Sequence, residues 1–365
     1  MVNLDFFPSK RIALYMARLF VLRSLAVLAA LVVVLMTLDL LGESGKILRV
    51  EGNGDAQLWH YVALRIPQLV ARFLPFSVLL GTLITLATLN QNSEIVSMKA
   101  AGISAHQIIA PLVLASLGIA AFAFVFQEMV VTRSTASLAS WQAVDYGPVP
   151  AESGVANNVW VRHDEDLIFA RLVSGRGAGT RLTGVTIYDR AGGTLETMIQ
   201  AKAARPAGDG WLLEDARVFD VATTTERPAS DLVVARGVDP TQFTLANVDP
   251  DEQHFAQLMD SIAQMQEAGR PTGPLEAGLW HKISGPLSAV LMPLLAAVAA
   301  FGLARSGQLF VRAVIGMALG FAYFVADNFA LAMGNFGAYP PLLAAWAPFV
   351  LFFLIGETVL IRTEE

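Results

Sequence analysis

Residues 25–41, LAVLAALVVVLMTLDLL, carry one carboxylate and no basic side chain. An α-helix rises about 1.5 Å per residue, so a run of this kind crosses most of the roughly 30 Å hydrocarbon core of a bilayer. Five further apolar runs follow, at 66–89, 108–131, 283–303, 311–333 and 342–361. A helix satisfies its own backbone hydrogen bonds, which lipid cannot do, so each run predicts a membrane-crossing helix. The fold class that results is an α-helical polytopic membrane protein, six transmembrane helices in a 3+3 arrangement around an inserted polar domain. Residues 1–131 form the first membrane half, 132–275 the inserted domain with a helix returning to the membrane, and 276–365 the second half.

Composition agrees. The chain has 365 residues, 55% hydrophobic and 15% charged, with a positive mean hydropathy, a balance found in membrane rather than soluble proteins. The net charge of −6 is uneven, since residues 132–280 hold about 20 acidic and 12 basic groups. An acidic soluble domain repels phosphate backbones, which argues against nucleic-acid binding. With no cysteine, disulfides, thiol catalysis and Cys-ligated metals are excluded. The first run is too long for a signal peptide, and Asp39-Leu40-Leu41-Gly42 offers no small-x-small cleavage site, so it is read as a retained span.

Lys10, Arg11, Arg18 and Arg23 precede the first run, Lys99 lies between the second and third, Arg305 and Arg312 flank the turn after the fourth, and Arg362 follows the sixth. The positive-inside rule therefore places both termini in the cytoplasm and the middle domain outside it, against the opposing Lys46, Arg49 and Arg65. Residues 12–20 are amphipathic and predict an interfacial helix leading into the first span. Residues 42–57 predict a loop. Residues 90–104, NQNSEIVSMKAAGIS, predict a short helix at about 91–103, with Ile95, Met98 and Ile103 facing membrane or protein while Glu94 and Lys99 stay solvated.

The middle domain reads as β. Runs at 159–162, 167–173, 182–188, 195–201 and 211–221 are β-branched or aromatic, and turn signals separate them at 163–166, 175–179, 191–193 and 206–210. This spacing predicts an antiparallel sandwich or jelly roll. Residues 251–267 have helical periodicity through Phe255, Leu258, Met259 and Ile262, ending at Gly269 before Pro271. The two membrane halves show no internal repeat.

Residues 42–47, GESGKI, mimic a phosphate loop. The leading glycine position is Leu40, however, and Ile47 stands where Ser or Thr is needed. The five histidines are scattered; His163 sits in an acidic turn that reads as solvated, so no metal site is expected. Neither a cofactor nor an enzyme signature is legible. Asp327 lies inside the fifth run, where a charge at mid-membrane costs about 2.5–3.5 kcal/mol, and should face the bundle interior or a wet cavity. Arg65 and Arg72 share a face two turns apart, placed either to snorkel or to meet lipid phosphates. Gly316 and Gly320 form a GxxxG pair on the fifth run, which permits close helix approach. Glu94, on a short helix between two spans, is placed to pair with an arginine of a docking partner.

Several stretches resemble the lipopolysaccharide-export permease family LptF/LptG: RFLPFSVLLGTL at 72–83, NSEIVSMKAAGI at 92–103, WHKISGPLS at 280–288 and the segment 311–327. TLDLL at 37–41 and Trp280-His281-Lys282-Ile283 look closer to LptG than to LptF. The resemblance covers nearly the whole chain and is weakest in the β domain. It implies a non-catalytic permease subunit of the bacterial inner membrane with a periplasmic jelly roll. Its implied partners are a paralogous LptF-like six-span permease, an LptB-like ATPase dimer, an LptC-like protein and lipopolysaccharide. It further implies a coupling helix carrying Ser93, Glu94, Met98 and Gly102, and a lateral gate at spans one and five. The expected gate and lipid cavity residues are Met36, Arg65, Arg72, Phe73, Phe76, Gly316, Gly320, Phe321, Phe324 and Asp327. Some family members carry a lysine in span one near the position of Met36, a departure for which Arg65 or Arg72 would compensate. The competing classes are a membrane scaffold or sensor without transport, and a lipoprotein-handling permease. Co-purification with an ATPase separates the scaffold or sensor from the export reading; lipoprotein-handling permeases typically have fewer spans and place the external domain after the first.

Overall fold

The computed structural model of the chain describes residues 9–148, 154–163, 165–175, 177–191, 193–229, 232–244, 248–267, 270–302 and 309–362. Within these, it describes the backbone alone at 154–157, 191, 241, 301–302, 309–310 and 312–313. Arg305 and the end of the return segment at Gly269 lie outside the described residues, as does Asp164 of the acidic turn. Two compact units are present: Met1–Leu41, Arg65–Ser134 and His254–Glu365 form one, Gly42–Leu64 and Thr135–Gln253 the other. The return helix, read in sequence with the β domain, belongs to the helical unit.

Among the described residues, six helices are long and apolar enough to cross a membrane. The helical elements are α1 (Lys10–Ile47), α2 (Asp55–Gln91), α3 (Glu94–Ala100), α4 (Ala105–Phe126), α5 (Thr132–Ala143), α6 (Pro240–Thr244), α7 (Phe255–Glu267), α8 (Gly273–Ala297), α9 (Leu309–Asn335) and α10 (Pro341–Arg362). The expected interfacial helix is the first part of α1. A π-helical turn, Gln127–Val131, joins α4 to α5.

Small residues set the helix contacts of the first unit, as expected where lipid removes the hydrophobic drive for association. A β-carbon at Gly81 of α2 would lie 2.7 Å from both the backbone nitrogen and Cα of Ser24 in α1. One at Gly316 would lie 2.7 Å from Leu83, and one at Gly320 would strike Leu79, both on α2. Gly334 of α9 abuts Ala344 of α10, and Gly356 of α10 abuts Leu294 of α8. Ile109, Leu294, Ala297 and Leu360 close the core among α4, α8 and α10.

In the second unit the run 42–47 is helical rather than the loop its glycines suggest. Glycine in a helix costs about 1 kcal/mol each, and local contacts offset this. Tyr146 donates to Glu43 at 2.7 Å, and Asn53 donates to the carbonyls of Ile47 and Tyr146, each at 2.9 Å. The Tyr146 ring meets Trp141 edge-on at 5.1 Å.

The strands are β1 (Gly154–His163), β2 (Asp166–Ser174), β3 (Arg181–Ala191), β4 (Thr194–Ala207), β5 (Gly210–Asp220), β6 (Thr225–Ala229) and β7 (Val233–Val234). The inserted antiparallel β domain is thus present. Its described strands β1 to β6 pair in chain order by successive hairpins, and β7 joins β5; no crossover of the jelly-roll kind occurs among them. Tight turns such as Gly193, at φ 81°, explain this, since a short connection makes sequential strands neighbours. One face carries the core, including Val159, Ile168, Val185, Ile199 and Val218. Trp211 closes one end of it, donating to Val238 O at 2.9 Å with its ring edge-on to Phe243 of α6 at 5.0 Å.

Candidate functional site: the α3 elbow and the charges of the helical unit

The elbow between α2 and α4 is fixed by backbone geometry. Ser93 adopts a left-handed conformation, φ 60°, and its carbonyl takes the Ser97 amide at 2.9 Å. At the other end Ile103 N bonds Met98 O and Gly102 N bonds Lys99 O, each at 3.0 Å. This is a Schellman stop, in which Gly102 at φ 83° avoids the β-carbon penalty. Ser104 and Gln107 then cap α4 reciprocally. The result is a short helix held rigidly at both ends. Ile95 is its buried anchor, while Val96, Ser97 and Lys99 are exposed.

Glu94 opens this helix but is half-buried rather than fully solvated. Its carboxylate accepts from Tyr15 OH and from Asn92 Nδ2, both at 3.3 Å. Tyr15 lies on the amphipathic start of α1, so α3 is linked to the first span. The sequence reading missed this link because the two residues are distant in the chain. At the neighbouring helix ends, His106 of α4 lies 3.6 Å from Glu357 of α10.

Two charges expected near the lipid are placed differently from each other. Arg65 forms a two-pronged pair with Asp39 of α1, Nε–Oδ2 and Nη2–Oδ1 both at 3.1 Å, and also donates to Gln68 at 2.7 Å. Three of its five N–H donors are therefore occupied. Arg72 is exposed, with no ion pair among the described residues. Periodicity sets Arg72, Phe76, Leu79 and Leu83 on one stripe of α2, the stripe that receives Gly320 and Gly316 of α9. The glycine pair thus faces span two.

Met36 is buried, Phe73 and Phe76 are half-buried, and Phe321 and Phe324 are exposed on α9. These residues do not gather around the apolar groove of about 350 Å³ that lies among α1, α2 and α4, whose walls include Val21, Leu28, Leu74 and Phe122.

The most buried charges were not singled out in sequence. Lys282 of α8, with its side chain 3% exposed, pairs with Glu128 at 3.1 Å. Glu128 sits in the π-helical turn and also accepts the Phe255 amide at 2.6 Å, so one carboxylate ties α4, α7 and α8 together. The adjacent His281 lies 3.9 Å from Asp327 of α9, whose side chain is 13% exposed. The signal available beforehand was Trp280-His281-Lys282 at the mouth of an apolar run, where ionisable residues need partners. Glu128 stands near the end of its apolar run, and its partner lies 154 positions away.

Outside the spans, burial, reinforced by the negative charges of Asp249 and Asp251, raises the Glu252 carboxyl from 4.5 to about 7. From about pH 4.5 to 7 the folded chain therefore holds a proton that the unfolded chain has lost. Stability should fall as pH rises through this window and level off above it. Glu252→Gln should flatten that slope in thermal melts run from pH 5 to 8, and an unchanged slope would assign the dependence elsewhere.

The profile of the family described as lipopolysaccharide export system permease LptF/LptG matches residues 14–362. The chain is 26% identical over 309 residues to the lipopolysaccharide export system permease protein LptG of Escherichia coli strain K12, covering 83% of this chain and 84% of that protein. It is also 26% identical over 359 residues to the LptG protein of Haemophilus influenzae, covering 93% and 97%.

Proposed function

Because this chain belongs to the lipopolysaccharide export permease family LptF/LptG, as a multi-pass inner-membrane permease subunit of lipopolysaccharide transport, we propose how it performs that role. It pairs with a paralogous LptF-like permease, takes its energy from an LptB-like ATPase dimer docked on α3, and passes lipid to an LptC-like periplasmic protein. Both termini and α3 lie in the cytoplasm and the β domain in the periplasm, in keeping with the lysine and arginine distribution. Drawing acyl chains from a bilayer opposes about 0.8 kcal/mol per buried CH₂, and the chain's one phosphate-loop mimic is incomplete, so the work comes from the partner.

The observation that carries this reading is the α3 elbow. A short helix with rigid ends and an exposed outer face is a suitable lever, and the Tyr15–Glu94 contact joins it to α1. Lipopolysaccharide enters sideways at spans one and five. In this chain the glycines of α9 are committed to α2, while Phe321 and Phe324 point outward. The gate therefore forms between α1 of one subunit and α9 of its partner. Arg72 is the cation free to meet a lipid phosphate there, because Arg65 is held by Asp39.

The test is Glu94→Arg in the assembled transporter, read by ATPase co-purification and lipopolysaccharide release from proteoliposomes. Both should fall at least tenfold, since an arginine substitution replaces attraction by repulsion at the dock. Full co-purification and release would remove α3 as the coupling element. Arg72→Gln should weaken lipid extraction while leaving ATPase association intact.

A further inference from the structure

The β sheet has a second face. Side chains alternate along each strand, so positions between the core residues point away from the core. In register, Leu167, Tyr188, Met198 and Phe219 form one row across β2 to β5. Trp160 and Phe169, directly opposed on β1 and β2, begin the next row. Trp160 is 53% exposed; its ring stacks on Tyr188 at 5.9 Å and 18°, and leans on Phe169 at 4.8 Å. Its indole is braced from beneath by two rings, which leaves a flat, rigid aromatic platform facing outward.

Cations border this platform. Arg162 stands opposite Leu167, and Arg217 opposite Gln200 in the Trp160–Phe169 row. Arg171 and Lys202 occupy outward positions one step further along their strands. Gly184, at φ 65°, leaves bare sheet beneath Arg171: a β-carbon there would lie 3.0 Å from Arg171 Cβ and 3.5 Å from its Nε. The guanidinium is thereby laid along the sheet beside the aromatic rows. Arg217 lies 3.6 Å from Glu226, whereas Arg171 and Lys202 make no ion pair among the described residues, although Asp215 is close in register. The strip carries Arg162, Arg171, Lys202 and Arg217 against Glu226, which stands opposite Phe219, and Asp215, within a domain that is acidic as a whole.

We infer that this outer face of the β domain is a binding site for acidic, phosphorylated sugar, the headgroup portion of the exported lipopolysaccharide; the identity of the ligand rests on the permease reading above. A pyranose presents a flat array of C–H bonds that packs on an indole face, and its phosphates or carboxylates require cations at the platform's edge. An acyl chain would use the rings but not Arg171 and Lys202. The sugar is guided along the outside of the sheet as the lipid advances, and the exposed indole keeps the contact shallow and reversible.

The test uses the full chain in zwitterionic nanodiscs, titrated calorimetrically with fully deacylated lipopolysaccharide that retains its phosphates. Wild type should bind. Trp160→Ala, and separately the pair Arg171→Gln with Lys202→Gln, should each weaken binding about tenfold or more, as expected for a central aromatic or charged anchor. Trp160→Phe should retain part of the affinity, and unchanged melting of each variant keeps the comparison clean. Dephosphorylated sugar should follow the charge variants. No binding by wild type, equal binding by the variants, or binding of anionic phospholipid vesicles in place of the sugar would each overturn the site. Lipopolysaccharide export by the assembled transporter is measured alongside. Export without sugar binding rejects this inference alone, whereas absence of export rejects the permease reading itself.

Discussion

Lys282→Met should lower the stability of the helical unit by about 3–5 kcal/mol, the range expected when one member of a buried ion pair is removed and its partner stays charged. The lysine side chain is only 3% exposed, and Glu128 opposite it is 16% exposed. Neither ion reaches bulk water easily, so a lone Glu128 must draw water into the bundle. The consequences should extend beyond α8, because Glu128 also holds the first amide of α7 and sits in the π-helical turn that ends α4. The measurement is thermal or denaturant unfolding of the purified chain in a fixed detergent. The informative companion is Lys282→Met with Glu128→Gln. Glutamine keeps a carbonyl oxygen for the Phe255 amide but carries no charge, so the double variant should recover most of the loss. A single variant as stable as wild type would show that the pair contributes nothing beyond its geometry, and a double variant no better than the single would point to packing of the lysine stem.

Gly81→Ala should be more damaging than Gly320→Ala, although both glycines lie on helices at close crossings. A methyl at Gly81 meets Ser24 backbone atoms at 2.7 Å. Backbone in the middle of α1 cannot yield without moving the whole helix, so α1 and α2 must separate along the crossing. Overpacking of this kind costs typically about 1–3 kcal/mol, and Gly81 belongs at the upper end. The methyl at Gly320 strikes the end of the Leu79 side chain, which can change rotamer. Leu79 is fully buried, so the relief is partial, and adding Leu79→Ala should restore the Gly320 variant. No side-chain change should restore Gly81→Ala. Yield and melting temperature of the four proteins order these effects, and equal losses at the two glycines would refute the distinction between backbone and side-chain neighbours.

The membrane helices were legible because hydrophobicity is local and additive. Six apolar runs needed no partner to be recognised, and α3 was expected from the short stretch 90–104, polar at first and helical in composition. The strands of the β domain were legible from their β-branched and aromatic runs and from their turns. The helical extension through Gly42 and Gly45 was not, since its support comes from Tyr146, distant in the chain. Arg65 and Arg72 looked equivalent by spacing, yet Asp39 occupies one and leaves the other open. GxxxG foretold a close approach but could not name α2 as the neighbour.

The amino-acid sequence alone therefore determined what each segment is: apolar runs long enough to span lipid, a short helix between two of them, and β-branched or aromatic strands in the middle. These follow from free energies summed over neighbouring residues. Only the tertiary structure decided which charges meet, Lys282 with Glu128, Arg65 with Asp39, Tyr15 with Glu94, and which aromatic rings share the outer face of the sheet. Those pairings depend on helix rotation and strand register, set by packing over the whole molecule, and no short stretch of chain contains them.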